Sequence, residues 1–309
     1  MDKLAQSGRL VPAADALKAR IVSFMQAAST EITPPEEYRL PELQSVLAPG
    51  TPLYIAHTSH TSFAQVIHAA LAAQRAGFLA TPHIAVRRVP NAPTLRAALG
   101  ELRAGGVDRI LLIAGDAPQP VGEFASTLDV LESGMVQESG MGHIGVAGHP
   151  EGHGAVDRAA LWRALESKQG FAARARLNMH IVTQFGLDAG AFGRWERELG
   201  RRHIQLPVRL GIAGPTPIPK LVHFAIQCGI GASMRALAGK FTAAAHAAEW
   251  ATRPDQHLLT VLHAPMRPQV VAPHFFAFGG ALETARWMRK VATGAFDIDE
   301  EAGHLRLWS

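Results

Sequence analysis

Gly142-His143-Ile144-Gly145-Val146-Ala147-Gly148-His149-Pro150-Glu151-Gly152-His153 is a short apolar run whose far end breaks into glycine, histidine, proline and glutamate. A run of that kind fills a core and then delivers polar groups to a surface. The pattern recurs along the chain. Arg109-Ile110-Leu111-Leu112-Ile113-Ala114-Gly115-Asp116 is its clearest copy, a continuous apolar segment of the sort buried on both faces of a parallel sheet. Further strands are expected at Ser29–Thr33, stopped by Pro34-Pro35, at Leu53–Thr58, at Gly77–Ala80 with Pro82–Val86 and an interruption at the proline, at Met179–Phe185, at Val208–Ala213 and at Val270–Phe278.

Helical spacing fills the intervals. Phe63, Val66, Ile67, Ala70 and Leu71 share one face after the second strand. Asp188 can cap a helix that carries Phe192, Trp195 and Leu199. Leu221, Phe224 and Cys228 follow the seventh strand and end at Gly229; an extra helix is expected at about Ser233–Trp250; Leu282, Ala285, Met288 and Val291 close the series. Eight strands each followed by a helical segment predict an α/β fold, a (β/α)8 TIM barrel with an N-terminal helix and an extra helix after strand seven. The division expected is 1-28 as a helical extension around Leu17, Ile21, Phe24 and Met25, 29-293 as the barrel, and 294-309 as a solvated acidic tail containing Asp297-Ile298-Asp299-Glu300-Glu301.

Composition narrows the function. Of 309 residues 48% are hydrophobic, enough for a large core, and the formal charge of +4 is spread along the chain. No concentrated basic stripe with aromatic neighbours points to nucleic acid. Cys228 is the single cysteine, which excludes an internal disulfide, and its apolar neighbours suit a buried helix end. With no signal pattern and no membrane-length apolar run, the expectation is a cytoplasmic protein without a membrane partner.

In a barrel the working face lies where strand ends feed into loops, which gathers Glu31, His57, Thr58, His83, Asp116, His149, His153, Gln184 and His274. Histidines in such numbers raise a metal-dependent hydrolase as an alternative. No His-x-His lies on a strand, no His-Glu-x-x-His on a helix, and His149/His153 fall in a Pro/Gly loop, so no metal ligand set is assigned. Gly-x-Ser-x-Gly and GxxxxGK[ST] patterns are absent too.

The order Ser29-Thr30-Glu31-Ile32-Thr33-Pro34-Pro35, Pro82-His83, Gly115-Asp116, Gly148-His149-Pro150-Glu151-Gly152-His153, Val182-Thr183-Gln184-Phe185, Gly211-Ile212 and His274-Phe275-Phe276 resembles the methylenetetrahydrofolate reductase family, from about Ser29 to Val291. The resemblance implies an FAD-dependent barrel, in its bacterial catalytic-domain form, that interconverts 5,10-methylenetetrahydrofolate and 5-methyltetrahydrofolate. NAD(P)H is the implied electron donor and a homo-oligomer an implied assembly. It places Glu31 as general acid, Asp116 by the flavin pyrimidine and the pterin, Gln184 as the group that orients substrate, and Phe276 on the substrate side. His57 or Thr58 is placed by the isoalloxazine, His83 and His153 as FAD contacts, and Lys168 at the FAD phosphates. Ala114-Gly115-Asp116 departs from the family's Arg-Gly-Asp, His149 stands for a tyrosine, and Phe276 for another. These departures imply changed cofactor affinity or NAD(P)H use, and the same site could run oxidatively where one-carbon units come from demethylation.

Overall fold

The computed structural model describes residues 13–186, 188–227, 254–263, 267–299, 301 and 303–308. Eight parallel strands close on themselves in sequence order: β1 Ser29–Ile32, β2 Pro52–Ile55, β3 Leu79–Ala85, β4 Arg109–Ile113, β5 His143–Gly148, β6 Met179–Thr183, β7 Val208–Ala213 and β8 Val270–Phe276. Closure comes from β1 pairing with β8, Ser29 opposite His274 and Thr30 opposite Phe275. The fold is a (β/α)8 barrel.

Strand alternation decides which side chains face the barrel interior. Leu53 and Ile55 join the large core under the helices, while Tyr54 between them packs with Leu111 and Val182 in a small separate cluster. Ile110 and Leu112 on β4, and Ile181 on β6, likewise belong to the helix-facing core. Helices at Phe63–Arg75, Ala92–Ala104, Arg158–Ala175, Ala189–Arg201 and Ala281–Ala292 cover the strands. Their starts follow local chemistry: Ser62, Asn91, Asp157 and Asp188 each accept a backbone N–H of the first turn.

Several expectations are corrected in detail. β3 runs unbroken through Pro82, which stands opposite Ile55; one missing N–H leaves the remaining ladder bonds of the strand in place. β8 ends at Phe276, because Phe278 turns into the left-handed region at φ 48 and Gly279 follows at φ 76. The N-terminal helix is Ala13–Met25, with Leu17, Ile21 and Met25 buried. The extra helix expected at Ser233–Trp250, and Cys228, lie outside the described residues. A helix in the same connection that the sequence reading passed over runs Pro254–His263, after Ile218–Gln227.

The stretch read as a solvated acidic tail is instead a hairpin, β9 Phe296–Asp299 against β10 His304–Leu307. Its alternation explains the difference: Phe296 is fully buried and Leu305 nearly so, while Asp297 and Arg306 face outward. Lys18 of the N-terminal helix donates to the Phe296 carbonyl and sits 4.7 Å from the Trp308 ring centre. Buried Asp255 accepts the Leu305 N–H at 2.8 Å. Asp255→Ala leaves that N–H without a partner, and a loss of about 1–3 kcal/mol is expected. A urea midpoint equal to that of the parent protein would contradict it. Among the described residues no helix is long and apolar enough to cross a membrane.

Candidate active site

A cavity of about 240 Å³ opens where the strands end. Six of the polar groups on its wall are brought by six different strands: Glu31 from β1, Thr58 after β2, His83 on β3, His149 after β5, Gln184 after β6 and His274 on β8. Phe276, Phe278 and Phe224 make the other side. Their rings interlock, with Phe224 stacked on Phe278 at 4.9 Å and Phe185 edge-on to Phe278 at 4.8 Å. The left-handed Phe278 costs backbone strain, and it is what turns this ring back onto Phe185 and Phe224.

Glu31 is the electrostatic centre of the cavity. Burial pushes its carboxyl up to about 8, the neighbouring charge of Glu36 adds to the shift, and a hydrogen bond from the Ala277 backbone opposes it. It therefore holds a proton near neutral pH. The imidazoles around it are driven the other way. Burial lowers His83 to about 3, with His57 contributing, and lowers His149 to about 3, helped by His153 and Lys168. His274 lies well below its ordinary value, first from burial and then from His83 and Arg209. It is braced by Ser29, Oγ to Nδ1 3.0 Å, and its Nε2 is buried without a partner. Gln184 fixes itself by accepting the Phe185 N–H on Oε1 at 3.1 Å, which leaves its amide N–H groups to donate.

The remaining sequence-derived positions surround the cavity rather than line it. His57 is buried, its pKa lowered to about 4 mainly by desolvation, and its Nδ1 has no partner. Ala114 and Gly115 follow β4, and Gly115 takes φ 86, where an added Cβ would lie 3.0 Å from that of Ala85. Asp116 is exposed and accepts both Nε (3.0 Å) and Nη2 (2.7 Å) of Arg88 on one oxygen. His153 stands edge-on to His149 at 5.3 Å. Lys168 projects from Arg158–Ala175 and is buried, which lowers its amine to about 8.

Sequence reading missed two members. Arg88, placed after β3, sets a guanidinium on Asp116, which follows the neighbouring strand. Only the pairing of β3 with β4 makes that visible. Glu36 lines the cavity from the 3-10 turn Pro34–Arg39; its signal was the Thr33-x-x-Glu36 spacing, at which an acidic side chain reaches back to the residue that starts the turn. Deeper in the barrel, Tyr54 Oη meets His180 Nε2 at 3.2 Å and the Tyr54 ring lies tilted against His274 at 4.5 Å. Among the described residues no group of three His, Cys, Asp or Glu side chains is arranged to hold a metal ion.

No family model matches the sequence. Among solved structures, the chain is similar to dihydropteroate synthase from Thermus thermophilus, with TM-score 0.41 and 14% identity over 82% of this chain and 90% of that one. It is also similar to D-psicose 3-epimerase from Clostridium cellulolyticum, with TM-score 0.36 and 12% identity over 89% of this chain and 93% of that one. Both likenesses concern the fold alone.

Proposed function

We propose that this barrel is an FAD-dependent oxidoreductase that interconverts 5,10-methylenetetrahydrofolate and 5-methyltetrahydrofolate, with Glu31 as proton donor in one direction and acceptor in the other. The observation that carries this reading is the buried carboxyl of Glu31, raised to about 8, at the wall of a cavity faced with aromatic rings and a fixed amide. A proton donor tuned to neutral pH suits the opening of a methylene bridge between two nitrogens. The motif order along the chain supports the choice of substrate.

The residues present fit a flavin. His57 Nδ1 and His83 Nε2 are buried polar atoms without partners, suited to the polar edge of a heteroaromatic ring. Lys168 is buried with no ion pair among the described residues, and its amine suits an anionic phosphate. Thr58 and His149 line the cavity itself, and Ala114, Gly115, Asp116 and His153 lie around it. When bound, FAD supplies the two-electron hydride chemistry, with NAD(P)H as its reductant.

Glu31 delivers its proton to one bridge nitrogen of the substrate; that C–N bond breaks and leaves an iminium carbon ready to accept hydride. Gln184 donates from its amide to orient the heterocycle. Phe224, Phe276 and Phe278 exclude water, which keeps Glu31 protonated and protects the iminium from hydrolysis. The test is optical. Purified protein is expected to show a flavin band, or to gain one when given FAD, and the band is expected to bleach when 5-methyltetrahydrofolate is added without oxygen. A protein that takes up no FAD refutes the proposal.

A further inference from the structure

Glu36 has no part in the chemistry above, yet its position is as constrained as that of any residue in the cavity. Its Oε2 accepts two hydrogen bonds from Thr33, from the backbone N–H at 3.0 Å and from the hydroxyl at 2.9 Å. Its Oε1 is buried and has no partner. The residue lines the same cavity as Glu31. Two carboxyls in one low-dielectric space do not both ionise freely.

We propose that Glu36 is a positioning residue for the proton donor: its side chain, pinned at the cavity wall by Thr33, keeps the proton on Glu31. This deepens the acid role given to Glu31 above and rests on it. Other charges near this corner are poorly placed to do the same. His83, His149 and His274 share the cavity but are held neutral by burial. Glu37, on the same 3-10 turn, is drawn toward His68 of the helix Phe63–Arg75 at 3.5 Å. Arg39, at the end of that turn, reaches Glu42 at 3.9 Å, and Lys220 lies by Gly279 at the rim. Glu36 is the residue whose charge acts directly on Glu31.

The pairing separates the two carboxyls by task. Glu31 carries the mobile proton, and Glu36, held through Oε2 by both Thr33 donors, stands beside it as the fixed carboxylate.

The experiment is a carboxyl titration by NMR on protein labelled with 13C in glutamate side chains, in the parent and in E31Q, E36Q and E37Q. Glu36→Gln retains an oxygen for both Thr33 donors, so the turn is preserved while the charge is removed. The parent is expected to show one resonance titrating near pH 8. It should vanish in E31Q, stay in place in E37Q, and fall by about one pH unit or more in E36Q, a tenfold loss of proton affinity. An E36Q midpoint equal to that of the parent overturns the proposal, as does an equal shift in E37Q or no Glu31 resonance above the ordinary carboxylate range. FAD uptake is read separately. A colourless protein with the coupled titration loses only the flavin reading, and a flavoprotein with an unmoved E36Q midpoint loses only this one.

Discussion

Glu31→Gln is expected to lower folate turnover by about 10²–10⁴-fold, the contribution typical of a positioned general acid, while making the protein more stable. The amide keeps the shape of the protonated carboxyl but has no proton to give. The stability gain follows from the sign of the pKa shift. Folded Glu31 titrates at about 8, above its ordinary value of 4.5, so between those limits the folded state binds a proton that the unfolded state has released. Stability is therefore unaffected by this group below about 4.5 and declines as pH rises toward about 8. The glutamine variant lacks that decline. Urea midpoints of the two proteins should coincide at low pH and diverge in favour of the variant as pH approaches 8. In the parent, the reductive rate should fall as pH rises through about 8, where the donor loses its proton. Full activity in the variant would remove Glu31 from the reaction, and equal midpoints at pH 8 would show that the carboxyl is not buried as described.

Gly211→Ala should damage fold and site together. A Cβ at Gly211 would overlap the Thr183 carbonyl oxygen and sit 2.9 Å from both the carbonyl carbon and oxygen of Gln184. These are backbone atoms at the end of the neighbouring strand, so no rotamer change relieves the overlap. Thr183 Oγ1 also accepts the Gly211 N–H at 2.7 Å, and that contact would open as the strands part. The expected cost is about 3 kcal/mol, at the upper end for overpacking. Binding of 5-methyltetrahydrofolate should weaken as well, because Gln184 is carried by the displaced segment. Gly100→Ala is the control. Gly100 lies inside the helix Ala92–Ala104 with nothing within 4 Å of an added Cβ, so alanine there should stabilise by about 0.5–1 kcal/mol. A Gly211→Ala protein with the parent's midpoint would contradict the close approach of β6 and β7.

The strands were legible because burial on both faces leaves a mark in one dimension: Ile110, Leu111 and Leu112 are all apolar whichever way they point. Errors fell where short-range rules were outvoted. Pro82 reads as a breaker, yet the pairs that β3 makes with both neighbours carry the strand through it. The stretch from Asp297 reads as a loose tail, yet Phe296 is buried and the segment pairs with His304–Leu307 as a hairpin while Asp297 stays outward.

By itself the sequence determined the alternation of strands and helices, and so the barrel, together with the strand ends that carry Glu31, His83, His149, Gln184 and His274 to one mouth. Those features follow from periodicity and from where an apolar run stops, which are local properties of the chain. The tertiary structure alone decided which charges meet. Arg88 reaches Asp116 across 28 positions of chain, Asp255 reaches Leu305 across 50, and Glu36 shares a cavity with Glu31 that is completed by β8. The pKa of Glu31 belongs to the same class: its largest cause is burial, and the cavity around it is assembled from strand ends far apart in the chain, with rings from β8 and from the helix after β7 on its wall. Dielectric environment and charge pairing depend on distances in space, and no spacing along the chain encodes them.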